Sequence, residues 1–295
     1  MNDSQSQINW FPGHMAKTRR LLSEQIRRTD LVIEICDARL PYSSRNPELR
    51  KLTEKKAHLL FLNKADLSDP EKNQQWLRYF RDHNVDAHLL NSVRMREKEI
   101  IGIVETATEQ IIRKAHDRGI KKTVKAMVIG IPNVGKSTFI NHLNGKKIAA
   151  ASDRPGVTKS NQWFRISPYL EILDTPGLLW PRLDDQTAAR RLCYIGSIRD
   201  DVVDLAELTI HLLEELIEIV PEKVQERFHV NDPDLRGPEL LDAVCRGRGW
   251  LLKGNQFDYD RCCNVVMNEF RDGKLGRITL ETPDRQPEKE NQSDD

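Results

Sequence analysis

Eight consecutive residues constrain this chain more than any others: Gly130-Ile131-Pro132-Asn133-Val134-Gly135-Lys136-Ser137. They satisfy G-x-x-x-x-G-K-[ST] and stand between an apolar run, VKAMVI, and a helix-forming stretch, STFINHLNG. A strand that turns through glycines into a helix points several backbone amides at one place, where the helix N-terminus adds partial positive charge. That place suits a phosphate. Lys136 is set to reach the β- and γ-phosphates of a nucleotide, Asn133, Val134, Gly135 and Thr138 to line them, and the Ser137 hydroxyl to ligate Mg2+. A glycine-rich strand-to-helix turn with an incidental lysine is the bland alternative, and the flanking strand and helix argue against it.

The surrounding pattern agrees. LVIEIC (31–36), HLLFLN (58–63) and VDAHLLNS (85–92) are short Val/Ile/Leu-rich runs like VKAMVIG (124–130), each ending in polar or glycine-containing sequence, as buried parallel strands do. Helical stretches from Pro70 to His83 and from Glu97 to Lys114 lie between them. QWFRI (162–166) and YLEIL (169–173) predict a hairpin around Ser167-Pro168. Alternating strands and helices make a doubly wound, mainly parallel α/β sheet. After Asp184 the periodicity becomes helical, through residues 202–220, 238–249 and 259–273, with Pro221 as a break. The expected division is 1–184 for the α/β domain with its N-terminal helical segment, 185–280 for a smaller all-helical domain, and 281–295 for a disordered polar tail.

Asn63-Lys64-Ala65-Asp66 closes the second strand as N-K-x-D. The Asp66 carboxylate can accept two parallel hydrogen bonds from guanine, a donor pair that adenine lacks. Asp174-Thr175-Pro176-Gly177 ends the last strand, where an aspartate approaches Mg2+ and the Gly177 amide can touch the γ-phosphate. In Arg154-Pro155-Gly156-Val157-Thr158, Thr158 is a candidate Mg2+ ligand in the triphosphate state, against the alternative of a plain loop threonine. Asn91 and Ser92, followed by Val93, sit where a backbone amide could meet guanine O6. In an ordinary guanine-nucleotide-binding domain the P-loop comes first and N-K-x-D follows D-x-x-G. Here N-K-x-D precedes the P-loop, a circular permutation that leaves every site loop at the carboxyl end of a strand. The permutation leads the chain from Gly177 straight into the helical region, so loss of a γ-phosphate would pull on residues 185–280.

Composition excludes other classes. Forty-six Lys and Arg balance forty-five Asp and Glu, a formal net charge of +1, so the chain is no polybasic coat for nucleic acid and DNA is not an expected partner. No apolar run is long enough to span a membrane, and the polar start resembles neither a signal nor a transit peptide. The five cysteines form no C-x-x-C pair and no zinc spacing, and read as reduced thiols in a cytoplasm.

INWFPGHMAKTRR, DARLPYSSRNP, NKAD, GIPNVGKST, RPGVTKS and LDTPGLLWP together resemble the ribosome biogenesis GTPase A family, circularly permuted GTPases of the YlqF type, from Ile8 to about Gly276. The resemblance implies hydrolysis of GTP to GDP and phosphate, coupled to late maturation of the large ribosomal subunit and contact with its precursor and rRNA. Ras-like enzymes orient the attacking water with a glutamine after the D-x-x-G glycine; here that position is Leu178. The resemblance points instead to His14, whose neutral imidazole can position water; a structural or RNA-contacting His14 is the alternative. It also implies that Asn133 helps hold a potassium ion in place of an arginine finger. Basic clusters at Lys17, Arg19, Arg20, Arg27 and Arg28, at Lys51, Lys55 and Lys56, and at Lys121, Lys122 and Lys125 are candidate RNA contacts, though any one of them reads first as a solvated helix face. So are Arg246, Arg248 and Lys253 around Trp250, a mix able to stack on bases. Three other readings stay open: a GTP-dependent switch with little catalysis, a mitochondrial-type large-subunit GTPase, and a small-molecule kinase, against which Asp66 argues.

Overall fold

Strand β1 (Leu31–Asp37) is buried along its whole length, and the rest of the sheet is built outward from it. It pairs in parallel with β2 (Ala57–Asn63) on one side and β4 (Val124–Ile129) on the other. β3 (Ala87–Leu89) extends the β2 side, and β6 (Leu170–Asp174) pairs in parallel with β4. β5 (Gln162–Ser167) closes the sheet antiparallel to β6 as the expected hairpin, giving the order β3-β2-β1-β4-β6-β5. The computed structural model describes residues 15–145, 162–177, 179 and 185–285. Of the residues singled out above, His14, Thr158 and Leu178 lie outside that set.

Both faces of the sheet are covered, which explains the unbroken apolar runs. Val32, Met127, Ile129 and Leu173 on one face meet Leu22 and Ile26 of α1 (Met15–Arg27) and Leu49 of α2 (Pro47–Thr53). Trp76 and Phe80 of α3 (Pro70–Asp82) pack on Cys36, Leu60 and Leu62. On the other face Leu31, Ile33, Leu59 and Phe61 meet α4 (Glu97–His116) and α5 (Lys136–Asn144) through Ile100, Val104, Phe139 and Ile140. Asn46 and Asp69 accept from the first-turn amides of α2 and α3, each followed by Pro at the first helical position. Gly135, at the start of α5, has no such side chain, so the orphan amides of that helix open onto the P-loop.

The helical part consists of α6 (Gln186–Tyr194), α7 (Leu205–Ile219), α8 (Pro221–Phe228), α9 (Gly237–Gly247) and α10 (Tyr259–Arg271). Pro221 does end α7, but it also starts α8, because a proline is tolerated at a first helical position, where no intrahelical donor is needed. Arg190 and Arg191 obscure the apolar period of α6 in the sequence, yet Ala189, Leu192 and Cys193 are buried. The core does not break at residue 184: one buried cluster joins Ile33, Val128 and Ile140 to Leu212, Val244 and Val266.

Two expectations need correction. Trp250 is only 4% exposed, with the Arg248 guanidinium 4.9 Å from its ring centroid, so it belongs to the core and presents no face to a base. The polar tail does not begin at 281. Ile278, Thr279, Leu280 and Glu281 are buried against the α/β part: the Leu280 amide donates to Arg39 O, and Trp76 Nε1 to Glu281 O. Glu281 reads as a tail residue because it is charged, but its carboxylate accepts from the Tyr42 and Ser43 amides, which offsets its burial.

Candidate nucleotide site

Every motif identified in the sequence, within the described residues, lies at the carboxyl ends of the parallel strands. The P-loop leaves β4 through Gly130, where φ is +151° and an added Cβ would stand 2.3 Å from Ile35 O. Gly135, with φ +99°, leaves a Cβ only 2.3 Å from Asn63 Nδ2. These two glycines are sterically required. Lys136 is 6% exposed and folds back so that Nζ donates to Ile131 O at 2.7 Å. Burial lowers its pKa to about 8, against the pull of Asp174. Burial likewise raises the Asp174 carboxyl to about 6, opposed by Lys136 and by the Thr175 amide.

Asp174 Oδ1 is buried and has no hydrogen-bond partner among the described residues. A buried carboxylate oxygen without a partner is costly, and carboxylate and serine hydroxyl oxygens are the hard donors that Mg2+ takes. No cluster of three or more His, Cys, Asp or Glu side chains able to hold a metal exists among the described residues. Ser137 and Asp174 would suit an ion held jointly with nucleotide phosphates. Gly177 lies against the loop: a Cβ there would meet Pro132 N at 2.8 Å and Lys136 Nζ at 2.9 Å.

The base side is stitched to the phosphate side by Asn63. Its Nδ2 donates to Val134 O at 2.7 Å, and its Oδ1 accepts from the Ser92 amide at 3.1 Å. One side chain thereby sets the spacing between P-loop and base loop. Lys64, in the left-handed region at φ +59°, donates from Nζ to Asn133 O at 2.9 Å. Asp66 is exposed at the rim. Asn91 Oδ1 accepts from the Val93 and Arg94 amides at 3.1 and 3.0 Å. The base-loop amides expected at guanine O6 are thus held by Asn63 and Asn91 side chains, so a guanine oxygen must compete for them.

Two connections have no motif in the sequence reading. Asp37, at the end of β1, is buried and receives Arg39 Nε at 2.9 Å, Arg39 Nη2 at 2.8 Å and Lys64 Nζ at 3.1 Å. Burial would raise its pKa, but these two cations and their hydrogen bonds hold it well below the carboxylate range. Arg39 Nη1 then reaches Phe270 O and Arg271 O, carbonyls of the last turn of α10. The string DARLPYSSRNP carried Asp37 and Arg39 in plain view, but only their convergence with Lys64 and α10 shows their use. The second connection grips the P-loop itself. Asn133 Nδ2 donates to Gly196 O at 2.6 Å and Ser197 Oγ to Pro132 O at 2.7 Å. Arg271 fixes that turn by donating to Tyr194 O and Cys193 O while paired with Asp200. Nothing in Gly196-Ser197 as sequence signals this role.

A family model described as "50S ribosome-binding GTPase" matches residues 125–233. A Bacillus cereus protein named ribosome biogenesis GTPase A is 40% identical over 282 residues, covering 94% of each chain. The mitochondrial ribosome-associated GTPase 1 of Ictalurus punctatus is 30% identical, with 92% of each chain covered. The GNP-bound YlqF structure from T. maritima superposes with a TM-score of 0.65 at 24% identity, over 90% of this chain and 98% of that one, a likeness of fold.

Proposed function

The chain belongs to the ribosome biogenesis GTPase A family, and on that premise we propose that it acts in the cytoplasm as a GTP-hydrolysing assembly factor late in large-subunit maturation. It binds guanine nucleotide and hydrolyses GTP to GDP and phosphate. The observation that supports the coupling is the pair of hydrogen bonds by which Asn133 Nδ2 donates to Gly196 O and Ser197 Oγ donates to Pro132 O, a route from phosphate occupancy to the helices. Asp66 selects guanine; Lys136 and the amides of Val134, Gly135, Ser137 and Thr138 hold phosphate; Ser137, Asp174 and Thr158 ligate Mg2+, which offsets the charge that develops on the leaving phosphates. His14 orients the water in place of Leu178. Asn133 adds a potassium site beside the β- and γ-phosphates, its side chain already steadied by Gly196. No helix among the described residues is long and apolar enough to cross a membrane.

Single-turnover GTP hydrolysis, with and without purified precursor large subunits, tests this reading. The particles should accelerate the parent, potassium should exceed sodium, and His14→Ala should lower kcat by about 10²-fold at nearly unchanged GTP affinity. A parent that binds GTP on the particle but hydrolyses it no faster would instead be a binding switch.

A further inference from the structure

A fully functional reading must account for Trp163. Trp76 and Trp250 are in the core, whereas Trp163 is 38% exposed on β5, the outermost strand of the sheet. The strand register fixes its neighbours. Arg165, on the same face two residues along, stands opposite Glu171 of β6, which stands opposite Lys125 of β4. Lys125 Nζ lies 5.6 Å from the Trp163 ring centroid. Asp30 accepts from the Lys125 amide at 2.9 Å and pairs with Lys122 at 2.7 Å, and the exposed Arg27 and Arg28 lie three and two residues before it in the chain. Lysine and arginine outnumber Glu171 and Asp30 in this patch. A large π-face beside ammonium and guanidinium groups is the chemistry of single-stranded nucleic-acid binding: the ring stacks on a base of any sequence and the cations take the phosphates.

We propose that this outer face of the β5–β6 hairpin is a stacking platform for an unpaired base of large-subunit rRNA, with Trp163 under the base and Lys125, Arg165, Arg27 and Arg28 at the phosphates. The proposal rests on the assembly-factor reading and deepens it. It replaces Trp250, which is buried, as the aromatic element of RNA contact. It also places the RNA close to the reaction, since Trp163 pairs with Leu173 and Gln162 with Asp174 in the same hairpin. RNA on the platform therefore steadies the strand that presents Asp174.

Binding of the full chain, loaded with a non-hydrolysable GTP analogue, is measured to purified precursor large subunits and to protein-free large-subunit rRNA. Trp163→Ala should weaken both by roughly tenfold and Trp163→Phe by less than about threefold, because a benzene ring still stacks. Lys125→Glu should weaken both and reduce the slope of log affinity against log salt by about one or more. GTP turnover in the absence of RNA should stay at the parental rate in all three variants, which excludes misfolding as the cause. Parental affinity of Trp163→Ala for the rRNA overturns the proposal. So does a parent that binds particles but no protein-free rRNA, or a Trp163→Ala defect confined to particles, which assigns the face to a protein. A parent that binds neither particles nor rRNA overturns the assembly-factor reading itself.

Discussion

Arg39→Met removes one buried cation and tests how the base-recognition loop is joined to the helices. Arg39 is 1% exposed, holds both oxygens of Asp37, and donates to two carbonyls at the end of α10. Phe270 O also accepts from the Gly273 amide at 3.2 Å, so Arg39 adds a second, side-chain cap to the end of α10 from across the molecule. Removing one member of a buried pair costs about 3–5 kcal/mol, a large part of a typical stability of about 5–15 kcal/mol. Urea unfolding of the nucleotide-free protein should show that loss. Asp37→Asn combined with Arg39→Met should cost less than the two single changes added, since the double variant no longer buries a carboxylate with Lys64 as its one remaining cation. Acid gives a second readout. The Asp37 pKa is depressed in the folded protein, so its contribution is fully present above the ordinary value of 3.8 and is lost as pH falls below it. In Arg39→Met that acid-side loss should shrink. A variant that loses less than about 1 kcal/mol, or keeps the parental acid slope, would show that Arg39 does not hold Asp37 in the way described.

Gly135→Ala should abolish measurable nucleotide binding by calorimetry while the chain stays folded, because the new methyl would displace the Asn63 amide from Val134 O. Retained binding would show that the loop can yield. Asp66→Asn should weaken GTP binding by about 1.5–3 kcal/mol, the worth of hydrogen bonds to a charged group, and shift preference toward xanthosine nucleotides in a competition assay. Equal GTP affinity would remove Asp66 from guanine recognition.

The sheet was legible because its strands are buried on both faces and therefore advertise themselves as apolar runs; β1, β2 and β4 lie within a residue of where those runs stand. β3 is short because only Ala87 to Leu89 stand in paired register with β2 at the sheet edge, with Asp86 O and the Leu90 amide bonding to Leu60 and Leu62 at its two ends. The P-loop, N-K-x-D and D-x-x-G were legible because their chemistry fixes residue types at close spacing. The Asn133–Gly196 and Pro132–Ser197 bonds were not. Backbone carbonyls accept in both, and every residue has a carbonyl, so no side-chain pattern records them. Trp250 misled for a related reason: flanking arginines look the same in sequence whether they border a solvent-facing indole or cover a buried one.

The return of residues 278–281 to the α/β part has a mechanical meaning. The helices enter the fold just after the Asp174–Gly177 loop and leave it where Ile278 and Leu280 donate to Leu67 O and Arg39 O and Glu281 accepts from Tyr42 and Ser43. A body held to one frame at both its entrance and its exit, and gripped between them by the Gly196–Ser197 turn on the P-loop and by Arg39 on α10, cannot drift away from it. One pin lies at the γ-phosphate end of the site and the other beside the strand that carries Asp37. On the proposed function, a nucleotide signal passed through these helices would be conveyed as a turn against the frame rather than as a separation from it.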